Sequence, residues 1–145
     1  VTDIRGEVVH KILLDGLVDC VDLSRIHWWV EQFLPAADAS ELQRATIDAI
    51  WSLVTEGLAD TGYPCNDEFV SEPPAEFLKE VQSAYIAQYD EPITWFRRFF
   101  VNLTEKGFAV ATSTPEGRRI AEHERLRLES IRALREQTSS GTDSS

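Results

Sequence analysis

Val8, Val9, Ile12, Leu13 and Leu17 recur at helical spacing, which predicts a first helix over residues 4–18 with Asp3 as its N-cap. Cys20-Val21-Asp22 reads as a short extended segment. Ile26, Trp29, Val30, Phe33 and Leu34 then give an i, i+3, i+4, i+7, i+8 stripe, predicting a second helix over 24–34 that is capped by Asp22 or Ser24 and ended by Pro35. A third helix is predicted from Asp38 or Ser40 to Glu56. Its inner face is Leu42, Ala45, Ala49, Ile50 and Leu53, with Ile47, Trp51 and Val54 beside it, and Gly57 stops it in a left-handed conformation. In the second helix Trp29 falls on the core stripe. Trp28 falls beside Arg25 and Gln32, either at the margin of the stripe beneath a loop or the C-terminal helix, or exposed as an anchor for a partner.

Beyond Gly57 the pattern changes. Leu58 to Tyr63 reads as extended, Pro64 to Asp67 as a turn, and Phe69-Val70 as a second short strand. Pro73-Pro74 opens a fourth helix over 74–89, with Phe77, Leu78, Val81, Ala84, Tyr85 and Tyr89 as its apolar stripe. Residues 94–103 read as the best strand, with Trp95, Arg97, Phe99, Val101 and Leu103 on one side and Phe96, Arg98, Phe100 and Asn102 on the other. Thr104 is placed to cap a following helix, and Thr114-Pro115-Glu116 restarts or kinks it. The segment 113–137 alternates charges around sparse Ile120, Leu128, Ile131 and Leu134, as a long solvated helix does. Residues 138–145, ending SSGTDSS, read as a disordered tail. The fold class is α+β and mostly helical.

The chain has 145 residues, of which 43% are hydrophobic and 10% aromatic, enough for one domain with a core that needs no disulfide or metal. Its two cysteines, Cys20 and Cys65, are too few for a secreted disulfide framework and read as reduced thiols of a cytoplasmic protein. No apolar run approaches the roughly 18 residues of a membrane span, and no signal peptide is expected. The absence of methionine and the start at Val1 fit a GTG codon read literally, hence a bacterial source. The formal charge of −11 is uneven: residues 1–92 carry −13 and residues 93–145 carry +2. An acidic body repels nucleic acid and anionic membrane, and it also serves plain solubility.

Two phrases join helices to strands. Leu53-Val54-Thr55-Glu56-Gly57-Leu58 turns a helix into a strand, and Leu103-Thr104-Glu105-Lys106-Gly107 turns a strand into a helix. With the order of elements around them, over residues 8–112, they resemble winged-helix regulators of the MarR and PadR type. The resemblance implies a winged-helix-like three-helix core and small β-sheet in residues 1–112, with helix 38–56 as the recognition helix and residues 58–72 as the wing. The stretch from Gly57 to Leu103 is about twice what a simple wing needs, and the inserted helix 74–89 accounts for most of the excess.

The resemblance also implies DNA binding, and the charges oppose it. Helix 38–56 offers Asp38, Glu41, Asp48 and Glu56 against Arg44, and the wing and its flank offer Asp60, Asp67, Glu68 and Glu72 with no cation. Phosphate contacts need lysine or arginine. If DNA is nevertheless bound, Gln43 and Arg44 are the base-reading candidates, and Arg118 and Arg119 are the cations within reach of the backbone. Catalytic signatures are missing: there is no phosphate loop, dinucleotide fingerprint, zinc-protease motif or nucleophile elbow. Cys20, Asp22 and His27 match no usual zinc spacing. A Cys65 pair with His10 or His27 would need a tertiary contact that sequence does not supply. No catalytic residue, metal or cofactor is expected. Protein recognition remains, on an acidic face suited to a basic partner, as in an immunity or antitoxin-like protein blocking a basic nuclease. Candidate contacts are Trp28, Glu41, Arg44, Asp48, Asp60, Asp67 and Glu68. A homodimer through the C-terminal helix is the other association the sequence suggests, although fewer than three good heptads are present.

Overall fold

Residues 4–95 and 97–142 are described in the computed structural model. They run α1 (Arg5–Gly16), β1 (Val21–Asp22), α2 (Leu23–Phe33), α3 (Ala39–Thr55), β2 (Ala59–Cys65), β3 (Glu68–Ser71), α4 (Pro74–Val81), β4 (Phe100–Leu103), α5 (Glu105–Ala111) and α6 (Pro115–Thr142). The fold is α+β and mostly helical: α1, α2 and α3 form the core, a small sheet lies beside it, α4 is inserted, and α6 is long. No helix among the described residues is long and apolar enough to cross a membrane.

Local chemistry sets the helix starts. The Asp22 carboxylate accepts from the Arg25 amide at 2.8 Å and from the Ser24 hydroxyl at 2.6 Å, fixing the entry to α2. Asp38 does the same for α3 through the Glu41 amide at 2.9 Å. Asp3, the expected cap of α1, lies outside the described residues. Val8 and Ile12 of α1, Ile26 and Val30 of α2, and Ala49, Ile50 and Leu53 of α3 are all buried together. Each large aliphatic side chain contributes about 1.5–3 kcal/mol by leaving water. The inserted α4 adds Phe77 and Val81 to the same core.

The strand order is β1-β4-β2-β3, antiparallel throughout. β2 serves two neighbours with its two halves: Ala59–Gly62 pair with β4, and Gly62–Cys65 pair with β3. Asn66 and Asp67 have φ of 51° and 67°, the left-handed pair that a two-residue hairpin turn requires. The outer part of the hairpin therefore extends past the end of β4. Pro64, which has no N–H to give, falls in this outer part.

The two linking phrases are parts of one junction. The Leu58 amide donates to the Leu53 carbonyl at 2.8 Å and the Gly57 amide to the Val54 carbonyl at 3.1 Å, closing α3 with Gly57 at φ 71°. The carbonyls of Glu56, Gly57 and Leu58 are taken by the other phrase. Lys106 Nζ donates to Glu56 O at 2.8 Å, Thr104 Oγ1 to Gly57 O at 2.6 Å, and the Thr104 amide to Leu58 O at 3.1 Å. Thr104 Oγ1 also accepts from the Gly107 amide at 3.1 Å, capping α5. A Cβ on Gly107 would sit 2.0 Å from Leu58 O, so only glycine lets α5 approach this closely.

Several expectations need correction. The strand expected over 94–103 is confined to Phe100–Leu103, because Pro92–Thr94 forms a 3-10 turn and irregular chain follows it. Trp95 and Phe99 are nevertheless buried, Trp95 with its indole N–H on the Tyr89 carbonyl and Phe99 edge-on to Phe77 at 5.5 Å. Phe96 lies outside the described residues. The helix expected over 74–89 is α-helical only to Val81; Gln82–Ile86 widens to a π-turn. The wide turn leaves the Tyr85 carbonyl to the side-chain amide of Gln43, at 3.3 Å. At the C-terminus, helix occupies 138–142, where a tail was expected, and residues 143–145 lie outside the described residues.

Replacing Gly107 with Ala is expected to destabilise the protein by at least about 2 kcal/mol, because the methyl group meets backbone rather than a movable side chain. Gly6→Ala, where nothing lies within 4 Å, is the control and gains about 0.5 kcal/mol. Denaturant melts of both variants check this; a Gly107→Ala protein as stable as wild type contradicts it.

Candidate protein-recognition surface

Packing of Thr46, Ala49, Ile50 and Leu53 against the core turns the opposite side of α3 to solvent. Glu41, Arg44, Asp48 and Trp51, spaced three, four and three residues apart, share that side and are all exposed. Arg44 stands one turn from each of two carboxylates, Glu41 and Asp48. Trp51 is 52% exposed, whereas its place in the sequence pattern put it beside the core. A half-exposed indole among carboxylates sets apolar and charged atoms side by side on the surface. Binding energy at protein interfaces concentrates at such aromatic groups.

The other sequence candidates fall in separate places. Asp60 is exposed on β2 opposite Asn102. Asp67 and Glu68 lie at the hairpin tip and line one cleft with Asp19, Cys20 and Cys65. Both thiols are free, and the Cys20 thiol is pushed up by burial and by the neighbouring Asp19. Of the candidate DNA contacts, Gln43 is turned inward to the Tyr85 carbonyl. Arg118 donates to the carbonyls of Thr112 and Ser113 at 3.4 and 3.2 Å, at the corner between α5 and α6. Arg119 is exposed.

Trp28 is 42% exposed, the second of its two sequence alternatives, and is not covered by a loop or by the C-terminal helix. It stands edge-on to Trp29 at 4.7 Å, and the Arg25 guanidinium lies 4.5 Å from its ring centre. Asp15 fixes this arrangement by accepting from Arg25 Nε at 2.8 Å and from Trp29 Nε1 at 2.6 Å. Trp29 is partly buried against the core, at its edge rather than its centre.

Sequence reasoning missed a buried polar cluster around His27. Tyr85 Oη lies 2.6 Å from His27 Nδ1 and 3.2 Å from Thr46 Oγ1, while Tyr89 Oη lies 3.2 Å and Glu31 Oε1 3.0 Å from His27 Nε2. Trp95 stacks on Tyr89 and meets His27 and Tyr85 edge-on. Both ring nitrogens have partners, so a neutral imidazole is satisfied here. Burial lowers the His27 pKa and outweighs the opposing pull of Glu31. The cluster fastens the inserted segment to α2 and α3. The one sequence signal was the i, i+4 spacing in both members, His27 with Glu31 and Tyr85 with Tyr89; nothing in it pairs the two segments.

Among the described residues, no three His, Cys, Asp or Glu side chains gather as metal ligands. Asp22 is engaged at the start of α2 and His27 in the tyrosine cluster, which separates the roles of the Cys20–Asp22–His27 trio. No family model matches the chain, and no curated protein or solved structure matches it.

The lowered His27 pKa fixes the sign of a pH effect. In the unfolded chain the imidazole takes up a proton near pH 6.5, whereas the folded protein resists it. Stability is therefore fully present above about pH 6.5 and falls as the pH drops through the interval below it. Thermal melts between about pH 7.5 and 5.5 should show this slope in wild type and a flatter profile in His27→Gln; equal slopes contradict the assignment.

Proposed function

We propose that the chain is a non-enzymatic protein-interaction module on a winged-helix-like scaffold, docking a basic partner through the solvent face of α3. The observation that carries this reading is Trp51, half exposed on the same face as Glu41 and Asp48. The indole supplies desolvated contact area, and the carboxylates supply long-range attraction and register. The charge of −13 on residues 1–92 extends the attraction beyond the patch. An immunity or antitoxin-like protein that covers a basic nuclease in a bacterial cytoplasm fits these features. The reduced thiols and the absence of a membrane-spanning helix among the described residues are compatible with that setting.

The alternative is a DNA-binding regulator. It is favoured by the order of elements and by the two MarR- and PadR-like phrases, whose residues meet at one junction. Against it, the helix that would enter the groove has Arg44 set between Glu41 and Asp48.

Affinity capture from a bacterial host, with wild-type, Trp51→Ala and Trp28→Ala proteins as parallel baits, tests the proposal. Wild type and Trp28→Ala are expected to retain a protein of basic pI. Trp51→Ala should lose it by roughly tenfold or more while keeping its stability within about 0.5 kcal/mol. Retention of the same partner by Trp51→Ala overturns the assignment to α3.

A further inference from the structure

β3 is the outer strand of the sheet, and its edge is open on the side away from β2. The Glu72 amide donates to the Thr61 carbonyl at 2.7 Å. Backbone groups alternate sides along a strand, so Glu68 and Val70 face β2 while Phe69 and Ser71 present their N–H and C=O groups outward. The edge carries no lysine or proline of its own to blunt it. Tyr63 and Val70 form a cross-strand pair and are 45% and 38% exposed. They overhang a cleft of about 540 Å³ that Glu72, Glu80, Arg98 and Phe99 also line. Burial, and then the hydrogen bond and charge of Glu80, raise the Glu72 pKa above the ordinary carboxylate range. Arg98 only partly offsets this, and its guanidinium also lies over the Phe99 ring, 5.0 Å from the centre.

We propose that the β3 edge accepts an extended basic segment of a partner protein as an additional strand, with one lysine or arginine side chain entering the cleft beneath Tyr63 and Val70. Main-chain bonds to Phe69 and Ser71 supply the affinity, and the side chain in the cleft sets the charge preference. Asp67 and Glu68 at the far end of β3 extend the same sign along the strand. A cation entering the cleft is placed to offset the burial and the Glu80 charge that raise the Glu72 pKa. The inference rests on the basic partner proposed above but uses a different surface, so loss of binding in Trp51→Ala and loss of binding at β3 are separable results.

The probe is a blocked peptide of alternating lysine and valine, about six residues long. Its twin carries N-methyl groups on alternate amides, which removes the donors of one edge. Both are titrated against wild-type protein, Ser71→Pro, and the Glu72→Gln/Glu80→Gln double variant. Ser71→Pro removes an outward N–H and leaves the bonds to β2 in place. The expected result is saturable binding to wild type that weakens roughly tenfold for the N-methylated twin and for Ser71→Pro. The double glutamine variant should lose most of its preference for lysine over a glutamate–valine peptide. No binding to wild type, equal binding of the twin, or an unchanged charge preference in the glutamine variant overturns the proposal. If Ser71→Pro does not fold, the twin on wild-type protein decides alone.

Discussion

Three consecutive carbonyls, those of Glu56, Gly57 and Leu58, project from the end of α3, and one short phrase of chain answers all three. The Thr104 hydroxyl gives its proton to Gly57 O and takes the Gly107 amide with its lone pair, so a single side chain both closes α3 and opens α5. Glu56 and Gly57 are exposed and their carbonyls could turn to water, whereas Leu58 is buried and its carbonyl needs the Thr104 amide. Once met, they fix where β2 begins, where β4 ends and how α5 leaves the sheet. The contact spans about fifty residues of chain, and the inserted α4 segment folds inside that span. This explains how a long insertion is tolerated: its ends are pinned, and extra loop length adds only slowly to the closure cost.

The solvent face of α3 follows from the same constraint. With its C-terminus held and its inner face buried, α3 has no rotational freedom, and Trp51 is left in water with Glu41 and Asp48. The His27 cluster acts at the other side of the core, binding the inserted segment to α2 and α3 through Tyr85, Tyr89 and Thr46. Its role is positional. It holds the π-turn, whose freed carbonyl occupies the Gln43 side-chain amide and turns it inward.

Periodicity made the three core helices, their caps at Asp22 and Asp38 and the left-handed Gly57 legible, because each depends on neighbours within one or two turns. It failed where burial and regular structure part company. Trp95 and Phe99 alternate as strand residues do, but they reach the core from an irregular segment. Trp51 was misplaced because a helical wheel does not say how wide the buried stripe is; on α3 the partly buried Ile47 and Val54 mark its margin and Trp51 lies beyond them. Periodicity left Trp28 between two placements, and it is exposed beside Arg25 rather than covered. For the site, charge alone pointed to Glu41, Arg44 and Asp48, and the structure sets them on one face. The His27–Tyr85 contact joins residues 58 apart, and local pattern carries no information at that separation.

The α3 face is proposed to recognise a basic protein surface and not nucleic acid. A mobility-shift titration of random-sequence duplex DNA in about 50 mM salt tests it most directly, because even nonspecific phosphate binding is strong there. Micromolar wild-type protein is expected to leave the duplex unshifted, and a Glu41→Lys/Asp48→Lys variant to shift it. A salt-sensitive shift by the wild-type protein that Arg44→Ala abolishes would contradict the account.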